Sequence, residues 1–74
     1  MSATTRRYRV TGMHCASCGL LVDDELEDLP GVRRSETDTS AGTVVLVVDD
    51  AGAPSDSEVV AAVEVLGYRA ERLG

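Results

Sequence analysis

The stretch Thr43-Val44-Val45-Leu46-Val47-Val48 is a β-branched run typical of a central strand. It is the most clearly marked strand in the chain. The preceding Ser40-Ala41-Gly42 predicts a turn, and before that turn Val32–Thr39 predicts an edge strand with polar residues on both faces. These two strands occupy the middle of the chain.

A second helix is predicted to follow the central strand. Ser55-Asp56-Ser57-Glu58 fits a capping box, in which Ser55 is the N-cap and Glu58 lies three residues further on. Gly67 ends this helix, and Tyr68–Leu73 is long enough for a last short strand. The predicted buried stripe of the helix consists of Val59, Ala62, Val63 and Leu66.

The first third of the chain predicts a strand followed by a helix. Tyr8, Val10 and Gly12 alternate with more polar residues in the period of a strand. Apolar residues then recur at helical spacing over 17–29, and Pro30-Gly31 ends this helix. The apolar stripe of the first helix consists of Cys18, Val22, Leu26 and Leu29.

Acidic residues fill the other side of the first predicted helix. No basic residue balances them in the last turn, where the helix dipole favours a cation. This side is either a docking surface for a basic partner or a solvated face without a partner. Its members are Asp23, Asp24, Glu25, Glu27 and Asp28.

The order of strand, helix, strand, strand, helix and strand predicts an α+β fold. It is the split βαβ pattern of a ferredoxin-like βαββαβ sandwich, with a four-stranded antiparallel sheet and two helices on one face. With 74 residues, 43% of them hydrophobic, the chain has enough apolar surface for one thin core. We therefore expect a single domain over residues 1–74, with its core at about 6–73.

The charge of the chain limits its partners. Thirteen acidic and seven basic residues give a net charge of −6, which argues against binding to nucleic acid or to an anionic membrane surface. Arg6-Arg7 is not followed by the apolar run of a secretory signal, and no apolar run is long enough to cross a bilayer. We expect a cytoplasmic protein without membrane insertion.

The loop Gly12-Met13-His14-Cys15-Ala16-Ser17-Cys18 contains both cysteines and the only histidine. In a reducing compartment a Cys-x-x-Cys pair indicates metal binding or redox chemistry more than a structural disulfide. The start of a helix favours the thiolate form, and two thiolates suit a soft ion such as Cu(I). Zinc ordinarily needs four ligands, and His14 is the only further nitrogen donor.

This loop, between a predicted strand and a predicted helix, resembles the Gly-Met-x-Cys-x-x-Cys loop of heavy-metal-associated domains. Pro30-Gly31-Val32 and Gly67-Tyr68 match that family as well, and the likeness covers about residues 6–73. The resemblance implies that Cys15 and Cys18 bind Cu(I) in a near-linear site of two thiolates.

The resemblance also implies roles for the neighbours of the two cysteines. Met13 corresponds to a methionine that packs beneath the loop without coordinating the metal. Tyr68 stands where bacterial copper chaperones often carry tyrosine, and two roles stay open for it: shielding the metal or hydrogen-bonding near the thiolates, or packing as a core tyrosine at a strand start. Three roles stay open for His14: a third ligand, a proton-linked tuner of the thiolates, or a surface residue that does not touch the metal.

The function that the resemblance implies is that of a bacterial cytoplasmic copper chaperone. Such a protein passes Cu(I) to the metal-binding domain of a copper-transporting P-type ATPase. No bond in a substrate changes, so the resemblance implies that the protein is not an enzyme. It implies a monomer in the apo state and allows a copper-bridged homodimer.

Three other functions compete with this one. The chain can be an N-terminal metal-binding domain of such an ATPase, a domain of the same fold that handles zinc, mercury or silver, or a dithiol oxidoreductase. The sequence also departs from the family, because Ser35 and Thr37 stand where inward residues of the second strand are usually apolar. Of Leu20 and Leu21, at least one is expected near the surface beside the metal loop.

Overall fold

A computed structural model describes residues 2–14 and 16–74. Its elements follow the predicted order. They are β1 (Ala3–Thr11), α1 (Ala16–Glu27), β2 (Val32–Asp38), β3 (Thr43–Asp49), α2 (Asp56–Val65) and β4 (Arg69–Arg72).

The four strands form one sheet in the order β2-β3-β1-β4, and every neighbouring pair is antiparallel. The predicted ferredoxin-like arrangement is confirmed, with β3 inside the sheet and β2 at an edge. Neither of the helices in the described part of the chain is both long and apolar enough to cross a membrane.

The core lies between the helices and one face of the sheet. Along β3, Val44, Leu46 and Val48 are buried, whereas the residues between them face the other side. Residues from both helices join these side chains in one cluster, so both helices cover the same face. The other members of the cluster are Tyr8, Val10, Val22, Leu26, Val59, Ala62 and Val63.

Strand β1 is longer than the sequence predicts, because it begins at Ala3. Its first residues are exposed and show no apolar alternation, which is why they gave no strand signal. They are held by pairing with β3, in which Ala3 lies opposite Asp49 and Thr5 opposite Val47. The length of β1 is therefore set by its partner strand.

The predicted capping box of α2 is confirmed. The Ser55 hydroxyl accepts a hydrogen bond from the Glu58 backbone N–H at 3.2 Å, and the Glu58 carboxylate accepts one from the Ser55 N–H at 3.5 Å. Gly67 follows the helix with a φ of +92°, a conformation that glycine adopts without steric cost. This turn directs the chain from α2 into β4.

A polar seam joins α1 to β2 and corrects the expectation for the acidic side of α1. The Asp23 carboxylate accepts hydrogen bonds from the Ser35 hydroxyl at 2.6 Å and the Thr37 hydroxyl at 2.7 Å. One turn later, the Glu27 carboxylate accepts the Ser35 backbone N–H at 3.2 Å. Asp23 and Glu27 therefore face β2, and the solvated acidic surface of α1 is smaller than the helical pattern predicted.

The polar seam also explains the departure of β2 from the family pattern. Ser35 is 6% exposed, and a hydroxyl at such a position is costly unless it is hydrogen-bonded. Asp23 supplies the acceptor, so the polar residues of β2 and of α1 compensate each other.

Replacing Asp23 with alanine is expected to destabilise the protein by about 1 to 3 kcal/mol, because it leaves two hydroxyls without their acceptor. Asp24→Ala is the matched control, since Asp24 is exposed and its loss is expected to cost less than about 0.5 kcal/mol. Urea unfolding followed by circular dichroism measures both values. Equal stabilities of the two variants would contradict the structural role of Asp23.

A second polar cluster ties β1 to the start of α2 and to β4. The hydroxyl of the buried Tyr8 donates a hydrogen bond to the Asp56 carboxylate at 2.7 Å. Arg72 donates to the same carboxylate at 2.8 Å, and its guanidinium lies over the Tyr8 ring. The hydrogen bond from Tyr8, followed by that from Arg72, holds the pKa of Asp56 below its ordinary value. Burial, and then the bond to Asp56, raises the pKa of Tyr8.

These shifts predict losses of stability at both ends of the pH range. The Asp56 contribution is present above the ordinary pKa of 3.8 and is lost as pH falls below it, because the unfolded chain takes up the proton first. The Tyr8 contribution is lost as pH rises above the ordinary pKa of 10.0, because the unfolded chain ionises first. The free energy of unfolding of wild type and of Tyr8→Phe is measured across pH. If the variant loses as much stability at alkaline pH as wild type does, the Tyr8 contribution is contradicted.

Candidate metal centre

The loop that contains the cysteines joins the end of β1 to the start of α1. Gly12 follows β1 with a φ of +104°, and a Cβ atom there would lie 3.2 Å from Cδ1 of Tyr68. Glycine therefore serves two needs at this position, a backbone conformation that other residues rarely adopt and a close approach to a ring. The first residue of the loop, Gly12, therefore lies against the ring of Tyr68.

Met13 and Tyr68 fix the loop to the body of the fold. Both side chains are partly buried and pack against the core cluster. Tyr68 lies between α2 and β4, where its backbone N–H donates to the Val63 carbonyl at 3.4 Å. The structure thus brings together three of the residues singled out in the sequence, Gly12, Met13 and Tyr68.

Cys18 lies in the first turn of α1 and is partly buried. Its neighbour Gly19 is buried against the end of β2, where a Cβ atom would lie 3.3 Å from Cγ2 of Thr37 and 2.9 Å from Cγ2 of Thr39, the residue that follows the strand. The absence of a side chain at Gly19 lets the first turns of α1 approach β2 closely. The prediction for Cys15 falls outside the described residues.

His14 is exposed in the loop. Within residues 2–14 and 16–74, no three side chains of His, Cys, Asp or Glu come together as a metal-binding group. The roles left open for His14 in the sequence stay open in the structure.

Exposed apolar side chains flank the loop. Leu20 is 66% exposed and Leu21 53% exposed, so both lie at the surface near the start of α1. Val65, the last residue of α2, is 78% exposed, and α2 ends three residues before Tyr68. Sequence reasoning missed Val65, although its position outside the predicted stripe of α2 was the available signal. We call Leu20, Leu21 and Val65 the apolar rim.

The chemistry of this region suits a soft metal ion. The start of α1 carries a positive partial charge from the helix dipole, which favours a thiolate at Cys18. Met13 and Tyr68 are partly buried between the loop and the core, so they restrict access of water to the loop from that side. The apolar rim is exposed, so the outer side of the loop is accessible to a partner. The arrangement can hold a thiolate-bound ion and still admit another protein.

Comparison with known proteins agrees with this geometry. The family model described as the heavy-metal-associated domain matches residues 7–69. A mercuric reductase from Shigella flexneri is 39% identical over 62 residues, which are 84% of this chain and 11% of the relative. The cation-transporting P-type ATPase B of Mycobacterium bovis is 39% identical over 69 residues, which are 90% of this chain and 9% of the relative.

The chain therefore spans only about a tenth of the length of these relatives. Among solved structures, the apo form of the copper chaperone of Enterococcus hirae superimposes with a TM-score of 0.82 at 25% identity. The match covers 92% of this chain and 98% of that one. By its sequence match over residues 7–69, this chain belongs to the heavy-metal-associated domain family.

Proposed function

We propose that this protein is a cytoplasmic copper chaperone that binds Cu(I) through Cys15 and Cys18 and delivers it to a copper-transporting P-type ATPase. The observation that carries the proposal is the loop itself. A Cys-x-x-Cys motif ends in the first turn of α1, and Met13 and Tyr68 fix the loop to the core. The similarity to the copper chaperone of Enterococcus hirae supports the choice of metal and of function.

The donor atoms favour Cu(I) over zinc. Soft thiolates select Cu(I), which accepts as few as two of them, whereas zinc in proteins usually has four ligands. The loop offers two thiols and one imidazole. Cys15 and Cys18 are the proposed ligands, and Met13 and Tyr68 would shield the ion without binding it.

Low coordination also allows transfer. A thiolate of the partner adds to the bound ion and gives a three-coordinate intermediate. The bond from copper to Cys15 or Cys18 then breaks, and the released thiolate takes up a proton from water. A second exchange of the same kind frees the ion from this protein. No covalent bond of a substrate changes and no electron is transferred, so the proposed activity is binding and delivery.

The apolar rim is the proposed contact with the ATPase. Leu20, Leu21 and Val65 lie at the end of the fold that carries the loop, and large exposed apolar side chains mark interaction sites when they cluster. The exposed Asp24 adds negative charge to the helix that carries Leu20 and Leu21. A partner with apolar side chains and a basic border fits this surface.

Two relatives support a second candidate each. The P-type ATPase from Mycobacterium bovis supports the alternative that this chain acts as the metal-binding domain of such an ATPase, with the same ligands. The mercuric reductase supports Hg(II) as the bound ion, because Hg(II) is also soft and also prefers two thiolates. The bound metal therefore distinguishes Cu(I) from Hg(II) as the cargo, whereas the ATPase-domain alternative shares the ligands of the main proposal.

Titration of reduced protein without oxygen is expected to give one Cu(I) per chain, held more tightly than zinc. Competition with a Cu(I) chelator and with a zinc chelator measures both affinities, and Hg(II) is titrated in parallel. His14→Ala is the companion variant. An unchanged Cu(I) affinity in this variant would show that His14 is a surface residue that neither binds the metal nor tunes the thiolates. Tighter binding of zinc than of Cu(I) would overturn the proposed cargo.

A further inference from the structure

The charges of this protein are divided between its two layers. All seven basic residues are arginines in strands, and neither α1 nor α2 contains one. The two helices instead contribute seven of the thirteen acidic residues. The helical layer is therefore strongly negative, and all positive side chains belong to the sheet.

Four of the arginines are already engaged with carboxylates inside the molecule. Arg6 and Arg72 approach Asp56, at 3.7 and 2.8 Å. At the other side of the sheet, Arg33 pairs with Asp49 and Arg34 pairs with Glu36. Three carboxylates thus engage four of the seven arginines.

The remaining three arginines lie together on the helix-free face of β1 and β4. Arg7 and Arg9 alternate with the buried Tyr8 and Val10, so they project from the opposite face, and Arg69 is paired in register with Thr11. We call Arg7, Arg9 and Arg69 the basic strip. Among the described residues, no side chain pairs with Arg7 or Arg69.

One carboxylate lies beside the basic strip. Glu71 is 3.6 Å from Arg9, beyond hydrogen-bond distance, and both side chains are more than half exposed, so this pair is weaker than the hydrogen-bonded pairs of Arg33 and Arg34. The strip therefore keeps three arginines against one glutamate, in a chain whose net charge is −6. Within the basic strip, positive charge therefore exceeds negative charge.

The shape of the surface adds a place for a carboxylate. A depression of about 250 Å³ lies between Arg9 and Arg69. Its other lining residues are Thr11, Ala70 and Glu71. Guanidinium groups match carboxylates in a forked geometry, and the Thr11 hydroxyl adds a neutral donor. Two residues that alternate on a strand are about 7 Å apart, so Arg7 and Arg9 repeat at that distance.

We propose that the basic strip docks an acidic protein segment whose carboxylates repeat about every 7 Å, as they do at alternate positions of an extended chain. The contact lies on the helix-free face, away from the apolar rim and its surrounding acidic helices. A segment bound there leaves α1 and the apolar rim accessible, so the protein is held in place while its metal loop still meets a partner. This inference goes beyond metal binding and does not depend on which ion is bound.

A synthetic peptide with aspartate at every second position is the probe. In a titration of ¹⁵N-labelled protein at low salt, we expect shifts of the amides of β1 and β4 near the basic strip, and none near Arg33 and Arg34. The double variant Arg9→Gln/Arg69→Gln is expected to weaken binding about fivefold to tenfold. Arg33→Gln/Arg34→Gln changes the net charge equally at engaged arginines and is expected to have little effect.

Three outcomes would overturn this docking site. One is equal loss of binding in the two double variants, which would show attraction by net charge alone. Another is shifts confined to the helices or to the metal loop. The third is tighter binding of single-stranded DNA than of the acidic peptide, which would assign the strip to nucleic acid. Cu(I) affinity is measured for every variant and is expected to be unchanged, so failure of this inference is distinct from failure of the proposed function.

Discussion

Replacing either Cys15 or Cys18 with serine is expected to abolish tight Cu(I) binding. A serine hydroxyl is a hard and weakly acidic donor, so the ion loses one of its two thiolates without a substitute. Loss of a residue that merely supports a metal ligand already costs about 10-fold to 100-fold in affinity. Loss of the ligand itself is therefore expected to exceed about 100-fold, measured by competition with a Cu(I) chelator.

Stability measurements separate this effect from unfolding. Cys18 lies in the first turn of α1, and its replacement by serine keeps a side chain of similar size, so both single variants are expected to stay folded. Met13→Leu is the matched control within the loop, because it keeps an apolar side chain against the core and removes only the thioether. If the serine variants bind Cu(I) as tightly as Met13→Leu, the assignment of the ligands is wrong.

The fold could be predicted because several local signals agree with one another. The alternation of β3, the capping box of α2 and Pro30-Gly31 after α1 each correspond to a feature of the structure. Each signal has a local physical cause, namely the two faces of a strand, the unpaired N–H groups of a helix start and the missing donor of proline. Such causes act within a few residues and are visible in the sequence.

The polar seam could not be predicted in the same way. A helical pattern assigns Asp23 and Glu27 to solvent because they are charged, and the partners that hold them lie on another element. The available signal was on β2, where Ser35 and Thr37 occupy inward positions and a buried hydroxyl needs an acceptor. Combining the two elements, instead of treating each alone, would have indicated the contact.

The position of the candidate site could be predicted because the loop is a continuous motif in the sequence. Met13 packs against the core and Tyr68 lies against Gly12 of the loop, although 54 residues lie between Met13 and Tyr68 in the chain. Their roles beside a bound metal stay predictions. The basic strip was not predicted, because its arginines are 60 positions apart and meet only through the pairing of β1 with β4. Contacts across a sheet depend on register, which a single sequence specifies weakly.

Replacing Gly31 with alanine is expected to destabilise the protein more than the same replacement at any other glycine of the chain. Gly31 has a φ of +91°, and a Cβ atom there would overlap the backbone carbonyl of Gly52. The Gly31 carbonyl also accepts the Asp49 N–H at 2.8 Å, so the chain cannot move away without losing a bond to β3. Strain of the backbone and overlap with a neighbour each cost about 1 to 3 kcal/mol.

Gly52→Ala is the matched control for this prediction. Gly52 has a φ of +99°, and a Cβ atom there would have no neighbour within 4 Å, so only the backbone strain remains. The stability of a domain of 74 residues is about 4 to 11 kcal/mol, which means that Gly31→Ala removes a large part of it. Thermal and urea unfolding compare the two variants.

The same pair of variants separates the fold from the metal loop. Gly31 follows the end of α1, whereas the loop precedes the start of that helix, so the two lie at opposite ends of α1. We therefore expect Gly31→Ala to lower the folded fraction while the protein that remains folded binds Cu(I) with wild-type affinity. If Gly31→Ala and Gly52→Ala are equally stable, the close approach of Gly31 to the Gly52 carbonyl does not constrain the fold.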